Sequence, residues 1–142
     1  MSMSYPKPRP TKHRFKVKRS SAGLGLFAET PIKKGDFVIE YWGEIITDEA
    51  AEKKGGQYLF DLDDTTFTID GTTRANTARY INHSCKPNCE PDQEGKRIFI
   101  KAIRDIAPGE ELSYDYGRQY FKQMVQEHGG CGCGHHRPKK KR

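Results

Sequence analysis

Short apolar runs, separated by turns rich in glycine and proline, dominate the chain. Phe15 and Val17 alternate with lysines, whereas residues 37–42 form a continuous β-branched and aromatic run. Alternation is typical of a half-exposed strand, and a short continuous run bounded by turns is typical of a buried strand. We therefore predict strands at both places, with a turn over 20–25 and a further short strand over 26–28.

Two acidic residues mark a hairpin farther along the chain. Residues 58–62 and 66–69 have the composition of strands and bracket Asp63-Asp64. This combination predicts two antiparallel strands joined by a tight turn. Residues 98–102, which follow a turn, predict one more strand.

Helical signals are few. Thr47 can cap a helix over 47–54, because two acidic residues follow it and Gly55 can end the helix. A second helix is predicted over 118–127. Since the strands follow one another without alternating with helices, we predict an α+β fold that is rich in β-structure.

Positive charge is concentrated at the two ends of the chain. The net charge is +6, yet residues 1–19 and 137–142 hold Lys and Arg without any acid, so the part between them is acidic. An acidic body attracts a basic peptide, whereas basic ends can make weak contacts with nucleic acid. The proline-rich, basic segment 1–12 predicts a disordered arm.

The sequence also indicates where the protein works. No apolar run reaches the roughly 18 residues that cross a bilayer, and the N-terminal residues lack the apolar stretch of a signal peptide. We expect a soluble intracellular protein without membrane contact, in a bacterial cytoplasm or in a eukaryotic nucleus. The basic tail 137–142 would serve there as an import signal or contact polyanions. In a reducing compartment the four cysteines are predicted to be thiols or metal ligands.

Gly23-Leu24-Gly25 lies in the first turn and has two interpretations. With the residues after it, this stretch fits the pattern of a dinucleotide-binding loop, but Pro31 and Gly35 exclude the helix that such a loop requires. It is then either a loop whose backbone approaches a ligand closely or an ordinary tight turn.

Two further segments concentrate chemically active groups. Residues 79–89 contain Asn82 and His83, and they form either a ligand-binding segment or a turn capped by its own polar side chains. Tyr41 and the two tyrosines of segment 111–116 belong either to the core or to an aromatic pocket. Such a pocket suits the alkyl stem and the cationic head of a lysine.

In their order along the chain, these segments resemble the SET family of protein lysine methyltransferases. The resemblance covers about residues 14–116 and rests on Gly23-Leu24-Gly25, Tyr41-Trp42-Gly43, Arg79 to Cys89 and Pro108 to Tyr116, with Tyr80 where the family has Phe. It implies a SET fold of several small curved β-sheets with short helices and a C-terminal pseudoknot, in which one segment threads beneath another. It also implies a SET domain over 13–117, followed by a C-terminal helix and a post-SET-like segment over 118–136.

The resemblance implies methylation of a lysine side chain in a histone or another basic protein, with S-adenosylmethionine as the methyl donor. The implied cofactor-binding residues are Gly23, Leu24, Gly25, Gln57, Tyr58, Asn82 and His83. By the same resemblance Tyr116 lies beside the methyl group and Tyr41 lines the lysine channel. Tyr114 occupies the position that limits the product, which implies chiefly monomethyllysine.

The remaining cysteines suggest a zinc site. Many SET domains bind a structural zinc ion through the cysteine of the Asn-His segment and a later Cys-x-Cys-x4-Cys motif. Here Pro138 stands where the last cysteine is expected. The predicted ligands are therefore Cys85, Cys131, Cys133 and His135 or His136, and the alternative is free thiols beside a flexible histidine tail. Cys89 is expected to be packed in the core.

Two other functions stay open on the sequence alone. A zinc-stabilised module that binds nucleic acid or peptide without catalysis would explain the basic ends and the clustered Cys and His residues, although not the acidic body. A degenerate SET domain would bind peptides only, but the retained tyrosines and the Asn-His pair argue against it. Asp61, Asp63 and Asp64 likewise form either part of a basic-peptide site or a solvated acidic face.

Overall fold

The computed structural model describes residues 7–21 and 23–117. Within these ranges the strands are β1 (Phe15–Ser20), β2 (Gly23–Ala28), β3 (Phe37–Tyr41), β4 (Glu44–Thr47), β5 (Leu59–Asp61), β6 (Phe67–Asp70), β7 (Asn82–His83), β8 (Cys89–Glu94), β9 (Arg97–Ala102) and β10 (Ser113–Tyr114). The helices are α1 (Asp48–Lys54) and a 3₁₀ turn (Thr77–Tyr80). No helix in this part of the chain is long and apolar enough to span a membrane.

The described strands form small, separate sheets. β1 and β2 are an antiparallel hairpin, β3-β9-β8 and β4-β6-β5 are antiparallel three-stranded sheets, and β7 and β10 are a parallel pair. The sheets share a core around Leu26, Ile69, Ile81, Ile100 and Leu112, each at most 1% exposed. This arrangement confirms the prediction of a β-rich α+β fold with small sheets and short helices.

Helix α1 begins and ends where the sequence predicts. The Thr47 side chain accepts a hydrogen bond from the backbone N–H of Ala50 at 3.1 Å, which satisfies one of the first free donors of the helix. Gly55, with a positive φ of 66° that glycine adopts readily, ends it, and its backbone N–H donates to the carbonyl of Ala51. Lys54 forms an ion pair with the buried Asp70 of β6. The last turn of the helix is thereby fixed to the sheet that carries β4, β5 and β6.

The two hairpin predictions differ in outcome. β5 and β6 pair antiparallel, and Asp64 between them has a φ of 57°, so the hairpin at Asp63-Asp64 is confirmed. The turn predicted over 20–25 is wrong for its second half, because β2 already begins at Gly23. Glycine is common in turns, yet Gly23 and Gly25 pair with β1 along a continuous ladder.

Residues 7–12 contact the body of the protein, which corrects the prediction of a disordered arm for this part of segment 1–12. The backbone N–H of Arg9 donates to the carboxylate of Glu40 at 2.7 Å, and the hydroxyl of Thr11 donates to the carbonyl of Val38 at 2.6 Å. Glu40 is buried and forms an ion pair with Arg97. A buried carboxylate needs hydrogen-bond donors, and the N-terminal segment supplies one of them. Residues 1–6 lie outside the described residues, as do the predicted segments 118–136 and 137–142.

The parallel pair of β7 and β10 joins two distant parts of the chain. Asn82 lies opposite Ser113, and His83 lies opposite Tyr114. The backbone N–H of Ser84 extends the contact by donating to the carbonyl of Tyr114 at 3.1 Å. The Asn-His segment and the tyrosine segment thus lie side by side, which is the contact that the implied pseudoknot requires; the threading itself stays a prediction.

Candidate active site

Five aromatic rings form a continuous row. Between ring centroids, Tyr41 lies 5.3 Å from Phe60, Phe60 lies 6.2 Å from Tyr114, and Tyr114 lies 4.9 Å from Tyr116. His83 closes the row at 5.4 Å from Tyr116. We call the four rings from Tyr41 to Tyr116 the aromatic wall. The structure brings the three predicted catalytic tyrosines together in it, with Phe60, which the sequence analysis missed.

Tyr116 is held by two hydrogen bonds at the end of this row. Its hydroxyl donates to the backbone carbonyl of Ile81, and its backbone N–H donates to Nδ1 of His83 at 3.0 Å. Because Nδ1 accepts this bond, the ring proton of His83 lies on Nε2, which is 3.4 Å from Sγ of Cys85. The Asn-His segment therefore fixes both the backbone and the phenol of Tyr116.

The phenol of Tyr41 is held at the other end. Its hydroxyl donates to the backbone carbonyl of Tyr58 at 2.8 Å. A Cβ at Gly71 would lie only 2.5 Å from the same hydroxyl oxygen, and a Cβ at Gly43 would lie 2.0 Å from the carbonyl oxygen of Asp70. Both distances are below van der Waals contact, so neither position accepts a side chain without a shift of its neighbours. Close packing against Asp70 thus explains why the Tyr-Trp-Gly motif ends in glycine.

Asn82 connects β7 to the first hairpin. Its Nδ2 donates to the carbonyl of Leu24 at 3.0 Å and to Oε2 of Glu111 at 2.9 Å. A Cβ at Gly25 would lie 2.3 Å from Oε2 of Glu111, so a side chain there would displace the Glu111 carboxylate from Asn82. Gly23, with a φ of 101°, begins the same strand. These predicted cofactor-binding residues are therefore clustered, and Glu111 joins them. No role was predicted for Glu111, although it is the first residue of segment 111–116.

Arg79 is a third site residue, after Phe60 and Glu111, for which no role was predicted. Its guanidinium lies 4.5 Å from the ring centroid of Tyr58 and 5.0 Å from that of Tyr80. One of its terminal nitrogens donates to the carbonyl of Thr72, whereas its buried Nε has no hydrogen-bond partner among the described residues. A buried donor without a partner costs free energy, so this N–H is suited to a bound acceptor.

A cavity of about 1160 Å³ opens beside the aromatic wall. It is lined by Tyr41, Phe60, Tyr114 and Tyr116, by the predicted Gln57 and Tyr58, and by the carboxylates of Asp48, Glu49, Glu52, Asp61, Asp63 and Asp115. Arg79 is the one basic residue in the described lining. A concave surface lined by charges of one sign concentrates their field, so the cavity attracts cations. Asn82 and His83 are not part of its lining, and His83 contacts it through Tyr116.

The predicted zinc site lies mostly outside the described residues. Only Cys85 of its ligands is described; the others are Cys131, Cys133 and His135. In the described part of the chain, no three side chains of His, Cys, Asp or Glu are grouped to hold a metal ion, and the zinc site stays a prediction. Cys89 is fully buried, and burial raises the pKa of its thiol to about 12. This finding agrees with the expectation of a packed cysteine.

Comparison with known proteins identifies the family of this chain. The family model of the SET domain matches residues 23–117, which is more than half of the chain. The match contains the aromatic wall, Asn82, His83 and Glu111. It begins at β2, whereas β1, which pairs with β2, precedes it.

Curated relatives share the same region. The chain is 42% identical over 123 residues to the "Histone-lysine N-methyltransferase, H3 lysine-4 specific" of Yarrowia lipolytica (78% of this chain, 10% of that protein). It is 49% identical over 106 residues to the protein with the same description in Schizosaccharomyces pombe (66% of this chain, 11% of that protein). It is 40% identical over 130 residues to the "Histone-lysine N-methyltransferase trithorax" of Drosophila virilis (83% and 3%). The chain therefore spans about a tenth or less of the length of these relatives.

Proposed function

Because this chain belongs to the SET-domain family, we propose that it is a protein lysine methyltransferase that transfers a methyl group from S-adenosylmethionine to a lysine side chain. The observation that carries the proposal is the aromatic wall beside an acidic cavity. The alkyl stem of lysine packs on aromatic rings, and its cationic head is attracted both by ring faces and by carboxylates. A lysine that enters this cavity reaches Tyr41, Tyr114 and Tyr116.

A basic protein segment is the substrate class that fits the cavity. Its carboxylates come from α1, from the β5–β6 hairpin and from Asp115, so they approach a bound peptide from several elements. Complementary charge increases the rate and the selectivity of such an encounter. The relatives are described as acting on histones, and a histone tail is the substrate that we propose for this chain.

The residues around Asn82 fit the methyl donor. We assign its binding to Gly23, Leu24, Gly25, Asn82 and His83 on one side and to Gln57 and Tyr58 on the other. Two observations support this fit: Gly25 has no side chain, so a ligand can approach its backbone closely, and Nε of Arg79 lacks a hydrogen-bond partner among the described residues. We propose that Arg79 binds the donor's carboxylate. When bound, the donor supplies an electrophilic methyl group on a sulfonium centre.

The chain's own part in the reaction is to prepare and orient the lysine amine. A free lysine has a pKa near 10.4 and arrives as the ammonium ion, which the cavity carboxylates favour. Contact with the aromatic wall removes water and favours the neutral amine that transfer requires, and the ammonium proton passes to solvent before the transfer. The hydroxyls of Tyr41 and Tyr116 are fixed by bonds to backbone carbonyls. We assign to their oxygens the alignment of the amine, about 3 Å from the methyl group and in line with the departing sulfur.

Tyr114 sets the number of methyl groups in this proposal. Its ring lies 4.9 Å from that of Tyr116, and it is only 4% exposed. A second phenol at the end of the channel leaves little room for an amine that already carries a methyl group. We therefore propose monomethyllysine as the chief product.

A transfer assay tests the substrate class. The protein is incubated with isotopically labelled S-adenosylmethionine and either core histones or an acidic protein that exposes many lysines. We expect label on lysines of the histones and little on the acidic protein, because the cavity repels acidic segments. Equal labelling of both would contradict the role of the carboxylates. Binding of nucleic acid or peptide without any binding of the donor would favour the non-catalytic module instead.

A further inference from the structure

One face of the first hairpin carries a row of cations. Lys16 and Lys18 of β1 are exposed, and residues two apart in a strand project to the same side. The pairs Lys16↔Phe27 and Lys18↔Gly25 place Phe27 on that side as well, and Nζ of Lys18 lies 4.4 Å from its ring centroid. Arg14 continues the row. We call Arg14, Lys16, Lys18 and Phe27 the basic hairpin face.

These cations are not neutralised within the described structure. Some other basic residues are paired, such as Lys54 with Asp70 and Arg97 with Glu40. No ion pair joins Arg14, Lys16 or Lys18 to a described carboxylate, although Glu29 lies at the edge of the same face. The face therefore presents a local excess of positive charge on a body that is otherwise acidic.

The position and spacing of these cations suit the binding of phosphate groups. It borders a shallow depression of about 410 Å³ that Pro108 and Gly109 complete. At about 3.4 Å per residue, Lys16 and Lys18 are about 7 Å apart and the row from Arg14 to Lys18 spans about 14 Å. A nucleic-acid duplex offers closely and regularly spaced charges, about one per 1.7 Å of its axis. Each cation of the row can therefore reach a phosphate when the row lies along the backbone.

A membrane surface fits this face less well. Interfacial binding combines cations with apolar side chains on the same surface, where they enter the lipid. The exposed apolar residues of the hairpin are Val17 and Leu24. Their partners in the ladder are Leu26 and Arg19, which places them on the opposite side from Lys16 and Lys18.

We propose that the basic hairpin face binds the phosphate backbone of double-stranded DNA, without selecting a sequence. Phosphate contacts position a protein on the duplex but carry no base information. The consequence for catalysis rests on the proposed function: the acidic cavity receives a basic segment of a protein that is bound to the same DNA. DNA itself is repelled by the cavity and attracted by the opposite charge of the basic hairpin face.

The test measures DNA binding of the full chain without any methyl donor. Fluorescence anisotropy with a labelled duplex at several KCl concentrations compares wild type with Lys16→Gln/Lys18→Gln. The control is Lys33→Gln/Lys34→Gln, which removes the same charge from another exposed turn. Loss of two phosphate contacts reduces the slope of log K against log salt by about 1.8 and weakens binding roughly tenfold at low salt. The control should keep the wild-type slope.

Three results would overturn the inference. The first is an equal loss in both double variants, which would indicate a general effect of net charge. The second is an unchanged salt slope in the hairpin variant. The third is a hairpin variant that loses binding to anionic lipid vesicles but keeps its binding to DNA. Methylation of a free histone peptide is measured in parallel, and the hairpin variant should keep the wild-type rate. Absence of transfer by the wild type would contradict the proposed function alone, because the binding assay contains no donor.

Discussion

The backbone N–H of Tyr116 donates to Nδ1 of His83 at 3.0 Å. This bond lies directly beyond the parallel pair of β7 and β10, where His83 is opposite Tyr114. The residues assigned to the methyl donor and those assigned to the lysine are therefore coupled through a few bonds of fixed geometry. A change on the donor side reaches the phenols through this coupling.

Replacement of Glu111 tests the donor side. Its Oε2 accepts from Nδ2 of Asn82 at 2.9 Å, and a hydrogen bond to a charged group contributes roughly 1.5 kcal/mol or more. We expect Glu111→Ala to raise KM for the methyl donor about tenfold, with a smaller change in kcat. Glu111→Gln, which keeps an acceptor of the same shape, should recover most of the loss. An equal effect of both variants, or a fall in kcat alone, would contradict the positioning role.

The ion pair of Lys54 and Asp70 predicts a loss of stability in acid. Burial raises the pKa of Asp70, but hydrogen bonds from Lys54 and Thr72 outweigh burial and hold it below the ordinary value of 3.8. A pKa lowered by folding stabilises the protein above the unfolded pKa, and this stability is lost as the pH falls through the folded pKa. Wild type should thus lose stability below about pH 4 more steeply than Asp70→Asn, as measured by urea midpoints from pH 7 to pH 3.

A surface pair serves as the control for this measurement. Asp92 also has a lowered pKa, chiefly because of the hydrogen bond from Lys101, but both side chains are partly exposed to solvent. Exposed pairs contribute little to folding. Asp92→Asn should therefore leave the steepness of the acid transition unchanged. If it flattens the transition as much as Asp70→Asn does, the effect belongs to net charge and not to the buried carboxylate.

The product limit depends on Tyr114. Removal of its hydroxyl in Tyr114→Phe enlarges the space beside Tyr116, so an amine that already carries a methyl group can turn for another transfer. We expect the variant to form dimethyllysine or trimethyllysine where wild type stops at monomethyllysine. Mass spectrometry of the modified peptide over time measures the distribution. An unchanged distribution with normal turnover would show that another group limits the product.

The zinc prediction is tested by metal analysis of the full chain. We expect about one zinc ion per chain if Cys85, Cys131, Cys133 and a histidine form a tetrahedral site. Cys85→Ser should lose the metal. Cys89→Ala should retain it, because Cys89 is a buried core residue with a raised pKa. A metal-free wild type that still binds the methyl donor would leave the cysteines as thiols.

Much of the fold follows from local patterns. The β-branched run of β3, the hairpin of β5 and β6 and the cap at Thr47 depend on neighbouring residues, and the structure confirms them. β7 and β10 have only two residues each and exist because they pair in parallel across a long connection. No window of sequence contains that information. The hydrogen bond between Arg9 and Glu40 was not predicted for the same reason, because the two residues are distant in the sequence.

Site residues could be predicted from the sequence where they belong to a recognisable motif. Tyr41, Tyr114 and Tyr116 were assigned from their segments, and the structure places them in one wall. Phe60 and Glu111 were missed because their roles come from their contacts: an aromatic residue in a strand is usually core, and a glutamate near a turn is usually solvated. Only the three-dimensional arrangement distinguishes them.

The most direct test of the central claim is the intact mass of a histone after incubation with the protein and isotopically labelled S-adenosylmethionine. The account predicts the mass of one labelled methyl group on lysine, with a rate about 100-fold lower in Tyr116→Phe because the amine is no longer aligned. Tyr80→Phe, which removes a phenol outside the aromatic wall, should react like wild type. Binding of the donor without transfer to any basic protein, or an unchanged rate in Tyr116→Phe, would contradict the account.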